Sequence, residues 1–239
     1  MKATLNRWAG RLPDVSAVLA RFPVPAVIMA IFTLIIIFDD AFTEQEQMAR
    51  LLAGLVISGY LCVSYVLSRE ARSGSPNFLI QLALTAFIVP MAWFSESLRL
   101  NLFMAIGAVI LLLGNAALWA KSRDDLHVWD FTHKLWTGVG FAVAGSIIFM
   151  IGMFAIQGAL KSLFGIDIRR LLENFLIPVG LGFLAPIYWL STIPGTNEDY
   201  SDLYNNPGFV SKAVAFLGTW LLSPLTLIYS VILLSLIHI

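Results

Sequence analysis

Seven long apolar runs constrain the fold of this chain more than any other feature of its sequence. They cover residues 22–38, 51–67, 78–94, 102–120, 135–159, 175–191 and 213–237, and none of the first six contains an acidic, basic or histidine residue. Helices of about 17–25 apolar residues cross a bilayer, where backbone groups must bond within their own segment. The runs lack the alternating polarity of barrel strands. The sequence therefore predicts an all-α, polytopic transmembrane helical bundle of six to seven spans.

The composition agrees with lipid as the solvent of this chain. Hydrophobic residues make up 59% and charged residues 13% of the sequence, whereas soluble domains have roughly 45–50% and about 25%. Because 15 basic and 15 acidic residues cancel, net charge gives no reason to expect a nucleic-acid partner. The expected partner is the lipid bilayer.

Residues 1–21 form a separate juxtamembrane segment. Apolar residues recur there at steps of three and four, which is one face of a helix; they are Leu5, Trp8, Leu12, Val15, Leu19 and Phe22. This pattern predicts an amphipathic helix in the headgroup plane. With the N-terminus inside, 10 of the 15 Lys and Arg residues fall in inner segments, as the positive-inside rule favours. We expect a multi-pass inner-membrane protein with a cytoplasmic N-terminus, although residues 161–170 run against the rule.

Proline and glycine interrupt the last two runs. The positions are Pro178, Gly180, Gly182 and Pro186 in the sixth run and Pro224 in the seventh. In transporters, broken helices of this kind place half-helix ends beside a substrate cavity. The alternative is a bent helix with a packing role, because proline and glycine are common in membrane spans. The sequence leaves both interpretations open.

Small residues line the fifth run. They are Gly138, Gly140, Ala142, Ala144 and Gly145, and two pairs of them stand four residues apart, the spacing that lets another helix approach closely. We interpret them as helix-packing residues. Their neighbour is a helix of the same chain, a second copy in a homo-oligomer, or another membrane protein.

No motif in the sequence predicts catalysis, a cofactor or a metal site. His127, Asp130 and His133 stand three residues apart before the fifth run. Each step turns about 60° around a helix, so the outer two diverge, and we favour a juxtamembrane segment over a metal site. Gln81, Asn115 and Gln157 are the strongest polar groups within the runs. Since intramembrane ionisable residues mark proton relays, a proton-coupled pump is disfavoured.

The longest polar stretch, IPGTNEDYSDLYNNPG, covers residues 193–208. We interpret it as a solvated connection between the last two runs, because Asn-Pro-Gly is a strong turn signal. A cation or partner site on its acidic residues is the alternative.

Several segments together resemble a known family. They are VWDFTHKLW, SLFGIDIRRLLENFLIPVGLGFLAPIYWLSTIP and LLSPLTLIYSVILL, with ARFPVPAVIM near the start. These patterns of aromatic, proline and apolar residues resemble the bacterial multi-pass membrane proteins of domain-of-unknown-function family 4153. The resemblance implies membrane residence and a helical architecture, and it transfers no catalytic residue.

The chain stops at SLIHI within the last apolar run. Members of the family continue beyond this point, so we expect a C-terminally truncated member in which residues 235–239 are foreign. His238 is accordingly given no functional role.

Together these features predict a non-enzymatic envelope component with a scaffolding or regulatory role. The alternative is a transporter or channel subunit that uses the interrupted sixth run. An intramembrane enzyme is the weakest of the three hypotheses.

Overall fold

A computed structural model describes residues 15–38, 45–72, 74–95, 98–120, 125–193 and 217–237 of the chain. Nearly all of these residues are helical, and these ranges contain no strand. The all-α prediction is therefore confirmed. The first 14 residues and the segment 194–216 lie outside the described ranges, and with them most of the predicted amphipathic segment and polar connection.

Eight helices follow one another along the described chain. They are α1 (Val15–Arg21), α2 (Pro23–Ile37), α3 (Gln45–Ala71), α4 (Phe78–Trp93), α5 (Leu98–Ala120), α6 (Asp125–Phe164), α7 (Arg169–Thr192) and α8 (residues 217–237). Each of the seven apolar runs falls on one of the helices α2 to α8 as far as the structure describes it. Pro23 and Pro25 open α2, where proline is tolerated because the first N–H groups of a helix have no partner.

Among the described residues, three helical stretches are long and apolar enough to cross a membrane. They are Gln45–Ala71, Phe131–Phe164 and Arg169–Thr192. In the other helices the apolar stretches found among the fully described residues are shorter: Pro23–Ile37, Phe78–Trp93, Leu100–Asn115 and Ser223–Ile232. At about 1.5 Å per residue, a helix of 15 or 16 residues spans roughly 24 Å, less than the roughly 30 Å hydrocarbon layer.

The described helices divide into two compact units, and α6 contributes to both. The first unit comprises residues 16–135 together with Ile193. Its centre is α3, which packs against α2, α4 and α5. Val24 and Ile28 of α2 meet Leu55 and Cys62 in one apolar cluster. A second apolar cluster is formed by Ile57 of α3, Ile88 of α4 and Ala108 of α5.

An ion pair fixes one end of this first unit. The Arg21 guanidinium donates from Nε and Nη2 to the two carboxylate oxygens of Glu70, at 3.0 and 2.7 Å. Its Nη1 donates to the Ile193 carbonyl at 2.7 Å, and the guanidinium lies over the Phe22 ring, 4.8 Å from the centroid. Both charged side chains are about four-fifths covered. A two-pronged arginine–carboxylate pair of this kind fixes orientation as well as charge.

The second unit contains residues 136–192 and α8. Helix α6 ends in a tight turn at Gly165, whose φ of 67° suits glycine because it has no Cβ. The Gly165 N–H donates to the Lys161 carbonyl at 3.1 Å, and the Ile166 N–H donates to the Leu160 carbonyl at 3.2 Å. This glycine-terminated ending satisfies the last carbonyls of α6, and the chain turns directly into α7.

Candidate functional site

The interrupted sixth run forms a continuous but irregular helix. Within α7, residues Leu172–Leu176 and Val179–Leu184 adopt π-helical turns. The Ile177 N–H bonds the Leu172 carbonyl, and the Ala185 N–H bonds the Gly180 carbonyl. Both bonds span five residues instead of four, so the helix is locally wider. Such turns are rare and occur often at functional sites.

Each π-helical turn in the described chain ends two residues before a proline. The turns are Leu172–Leu176, Val179–Leu184 and Leu217–Leu222, and the prolines are Pro178, Pro186 and Pro224. A proline lacks the N–H that would bond the carbonyl four residues back, and its ring pushes that carbonyl away. The preceding turn widens as a result. The prolines thus widen the helix locally, and residues 169–192 stay helical throughout.

The glycines of α7 lie on its covered side. Pro178, Gly180 and Gly182 are buried, whereas Pro186 is half-buried. A Cβ at Gly180 would lie 2.7 Å from Cε1 of Phe149 in α6, so glycine permits this approach of ring to backbone. In α8, Pro224 is exposed at the start of the regular helix Ser223–Ile237.

The small residues of α6 have different surroundings. Gly138 is buried against Thr192 of α7, and a Cβ there would overlap the Thr192 hydroxyl. Gly140 has nothing within 4 Å of a built Cβ. The remaining three, Ala142, Ala144 and Gly145, are half-buried. Among the five predicted packing positions, Gly138 has a close neighbour in the described part of the chain, and that neighbour belongs to the same chain.

One close contact of α6, at Gly152, does not follow from the four-residue spacing of small residues in the sequence. A Cβ at Gly152 would overlap the Leu225 side chain of α8. Gly138, Gly145 and Gly152 are spaced by seven residues, close to two helical turns, so they share one face. This seven-residue spacing, in addition to the four-residue one, indicates Gly152 as a packing position.

An apolar groove lies between α6 and α8. Its volume is about 420 Å³, and Ile148, Ile151, Gly152, Leu225 and Tyr229 are among its lining residues. Two hydroxyl groups in the lining bond within their own helix. Thr226 Oγ1 donates to the Leu222 carbonyl at 2.9 Å, and Ser230 Oγ donates to the Thr226 carbonyl at 2.7 Å. The groove therefore suits an apolar chain better than a polar solute.

The turn between α6 and α7 is stabilised by Asp167. Its carboxylate accepts the Arg169 N–H at 3.0 Å and the Lys161 ammonium at 3.0 Å. The Arg169 N–H, followed by Lys161, holds the pKa of Asp167 below its usual value. Arg169 in turn pairs with Glu173 at 2.7 Å. These charges cap and orient the helices, which accounts for the polar segment KSLFGIDIRR.

The histidine group before the fifth run is only partly described. Trp129 and His133 are exposed and stack with ring centroids 4.9 Å apart. The side chains of His127 and Asp130 lie outside the described part, as do residues 194–208 of the polar connection and His238. Among the described residues, no three His, Cys, Asp or Glu side chains are grouped as metal ligands.

A polar seam runs through the first unit between α3, α4 and α5. We define this polar seam by Ser64, Gln81, Ser95, Asn101 and Asn115, which are all buried. Asn115 Nδ2 donates to Ser64 Oγ at 3.0 Å. Gln81 Oε1 and both amide atoms of Asn101 are buried and meet no hydrogen-bond partner among the described residues. Such groups are rare in native proteins and call for an explanation.

The spacing of these residues places them in layers. Ser64 and Asn115 are 51 positions apart, and so are Ile57 and Ala108 of the apolar cluster, so α3 and α5 are parallel. Seven residues back, the same register predicts Arg50 of α3 at the level of Asn101 of α5. Gln81 stands seven residues before Ile88 on the same face of α4, and Ser95 stands seven residues after Ile88, two residues past the end of this helix. The seam therefore has a polar layer on each side of the layer of Ile57, Ile88 and Ala108.

Comparisons of the chain with protein-family models, with curated proteins and with solved structures find no match.

Proposed function

We propose that this chain is a multi-pass protein of a bacterial inner membrane, with six or seven spans and a cytoplasmic N-terminus. We further propose that it is a non-enzymatic envelope component with a scaffolding or regulatory role. Membership of domain-of-unknown-function family 4153 is part of this proposal, because the proline-rich and aromatic segments of that family have counterparts here.

The observation that carries the membrane proposal is a common boundary of three apolar runs. Extended by seven residues, the register of α3 and α5 predicts Arg50 and Asn101 at one level, and Ser95 follows the end of α4, seven residues after Ile88. These residues stand immediately before residue 51, after residue 94 and before residue 102, where the three runs begin or end. Helices that cross one hydrocarbon layer must change polarity at the same depth. The packing register and the ends of the apolar runs therefore indicate the same boundary of the hydrocarbon layer.

The exposed surface of α6 supports the same proposal. Only 6% of its most apolar window is buried within the structure, and large apolar side chains such as Val143, Ile147 and Ile151 are more than half exposed. Apolar patches this large mark membrane or protein contacts. In a bilayer, acyl chains cover them.

The scaffolding part of the proposal is supported by what the described charged groups do. Arg21 pairs with Glu70, Lys161 with Asp167, and Arg169 with Glu173. Each pair lies at or beside the end of a helix and fixes the connection there. Charges used in this way hold a framework together, which suits a structural component of an envelope.

Cysteine labelling tests the membrane proposal. In a Cys62→Ser background, we expect a membrane-impermeant maleimide applied outside cells to label Ile166→Cys and to leave Ser75→Cys unlabelled until the membrane is permeabilised. The protein should also stay in the membrane after washing at alkaline pH. Labelling of both positions from the same side, or release by the alkaline wash, would contradict the topology or the membrane residence, respectively.

A transporter or channel subunit is the second candidate function. The π-helical turns beside Pro178, Pro186 and Pro224 favour it, because wider turns are frequent where helices line ligand sites. Purified protein in proteoliposomes should then raise the leak of K⁺, Cl⁻ or glycerol, and Pro178→Ala and Pro186→Ala should change that leak. Pro90→Ala in α4 is the matched control. A leak that is absent, or that is unaffected by both α7 variants, would remove the support for this function.

A further inference from the structure

The Arg50 end of the polar seam has unmatched polar groups. Arg50 has one ion pair in the described chain, a single 3.4 Å contact with Glu46, whose side chain is 88% exposed. The Arg50 side chain itself is only 25% exposed. Asn101, which the register predicts at the same level, is 3% exposed, and neither of its amide atoms is bonded to a described residue. A largely covered guanidinium and a buried amide without partners are costly unless a further group meets them.

The backbone at this level favours an anion. Helix α5 begins at Leu98, and the first four N–H groups of a helix have no partner within it. Because peptide dipoles align, this end carries a partial positive charge. Arg50 adds a full positive charge. Phosphate oxygens are well suited to both, since guanidinium groups and helix N-termini bind them through several N–H donors.

We propose, on the basis of the membrane placement proposed above, that Arg50, Asn101 and the first turn of α5 bind the phosphate group of a membrane phospholipid. The Arg50 guanidinium pairs with the phosphate, and Asn101 Nδ2 donates to it. Asn101 Oδ1 accepts an N–H or O–H from the headgroup beyond the phosphate. Since Asn101 is covered, the Arg50 side chain turns outward to admit the headgroup, and its one long contact with Glu46 offers little resistance.

Two observations favour a lipid over free inorganic phosphate. The three residues Arg50, Ser95 and Asn101 lie where the apolar runs end, which is the depth of lipid phosphates in a bilayer. The exposed Glu46 carboxylate four residues from Arg50 repels a free dianion, whereas it attracts the ammonium of an ethanolamine headgroup. An ethanolamine or glycerol headgroup supplies the donor for Asn101 Oδ1, and a choline headgroup does not.

Lipid titration of the purified protein in detergent tests this site. Short-chain phosphatidylethanolamine, phosphatidylglycerol and phosphatidylcholine are added separately, and the rise in unfolding temperature gives the affinity. We expect the first two lipids to bind about tenfold more tightly than phosphatidylcholine, which corresponds to about one lost hydrogen bond to a charged group. Arg50→Gln should weaken binding of all three about tenfold or more. Arg69→Gln, at the other end of α3, should bind as the unchanged protein does.

Asn101→Leu separates a binding role from a packing role. Removing an unbonded buried amide should raise the unfolding temperature without lipid, because an apolar group of similar size needs no partner. The same variant should lose the preference for donor-bearing headgroups. A variant that keeps this preference, or Arg50→Gln binding lipid like the unchanged protein, would overturn the proposal.

Two further results would also overturn it. Equal stabilisation by inorganic phosphate at matched concentration would make the ligand a free ion. Glu96 precedes α5 in the sequence and lies outside the described residues. Lipid binding that arises only in Glu96→Gln would show that this carboxylate, and not a lipid phosphate, is the partner of Arg50. Failure of the membrane proposal can be distinguished from failure of the lipid site. The first would be seen as release of the protein by the alkaline wash, and the second as unchanged lipid binding in the Arg50 or Asn101 variants.

Discussion

Helices α3 and α6 are both apolar and both long enough to cross a membrane, yet they are used differently. In α3, 56% of the most apolar window is buried within the structure, whereas in α6 the share is 6%. The covered positions of α3 include small and polar residues such as Gly54, Ser58 and Ser64. In α6, the described close approaches at glycine are those of Gly138 and Gly152.

The difference in burial between α3 and α6 shows that two properties of an apolar helix are independent of each other. Overall apolarity determines which solvent a helix requires, and it is shared by α3 and α6. Small and polar residues on one face determine which neighbours the helix accepts, because they permit close approach or form hydrogen bonds between helices. In α3, Gly54 faces α4 and Ser64 bonds Asn115 of α5, whereas in α6 large apolar side chains such as Val143, Ile147 and Ile151 are exposed.

Glycine substitution should show the largest contrast between these helices. A Cβ at Gly54 would lie 3.0 Å from the Ala92 Cβ and 3.2 Å from the Val89 Cα in α4. Gly54→Leu should therefore destabilise the protein by about 4 kcal/mol, since the obstructing atoms include backbone. Gly140→Leu in α6 should change stability by less than about 0.5 kcal/mol. Thermal unfolding in detergent measures both, and equal effects would contradict the packing described.

Truncation of isoleucine tests the same contrast without adding atoms. Ile57 is 1% exposed in α3, and Ile147 is 53% exposed in α6. Ile57→Ala should cost about 3 kcal/mol because it leaves a cavity among α3, α4 and α5. Ile147→Ala should cost less than about 1 kcal/mol, since its side chain has few protein neighbours. A large effect at Ile147 would instead indicate a second protein surface on α6.

Ion pairs offer a smaller contrast. Arg21 and Glu70 are about four-fifths covered, whereas Lys161 and Asp167 have side chains 61% and 47% exposed. A double-mutant cycle of Arg21→Gln and Glu70→Gln should give a coupling of about 2 kcal/mol. The cycle of Lys161→Gln and Asp167→Asn should give a much smaller coupling, because water screens the exposed pair. Comparable couplings would mean that the Arg21 pair is less covered than described.

The smallest effect is expected from the pH dependence at Asp167. Its pKa is lower in the folded chain than the ordinary 3.8, chiefly through the Arg169 N–H. The carboxylate therefore adds stability above the ordinary pKa, and this contribution is lost as pH falls through the lowered folded value. The difference in unfolding temperature between the unchanged protein and Asp167→Asn should shrink from neutral pH to about pH 3. A constant difference would show that the capping bonds do not depend on charge.

Much of the helical architecture was predictable from the sequence. The apolar runs coincide with α2 to α8 because membrane-length runs leave the backbone no alternative to internal hydrogen bonds. A disturbance of the helix at Pro178, Pro186 and Pro224 was predictable from the missing N–H. The π-helical turn that ends two residues before each proline was not predictable. The sequence does not reveal how neighbouring helices accommodate a widened turn.

The polar seam was only partly predictable. Gln81 and Asn115 are recognisable in the sequence as polar residues within apolar runs. The seven-residue spacing that relates Asn101 to them has meaning only after α3, α4 and α5 are known to pack together. The same holds for Arg21 and Glu70. They are 49 positions apart, and nothing local to either residue predicts the pair.

The bond between Arg21 and the Ile193 carbonyl has a consequence for biosynthesis. Arg21 and Glu70 leave the ribosome early, and 123 residues separate Glu70 from Ile193. During translation the Arg21 guanidinium can meet the Glu70 carboxylate before Ile193 has been made. The bond to the Ile193 carbonyl therefore joins a pair that can form early to a part of the chain that is synthesised late.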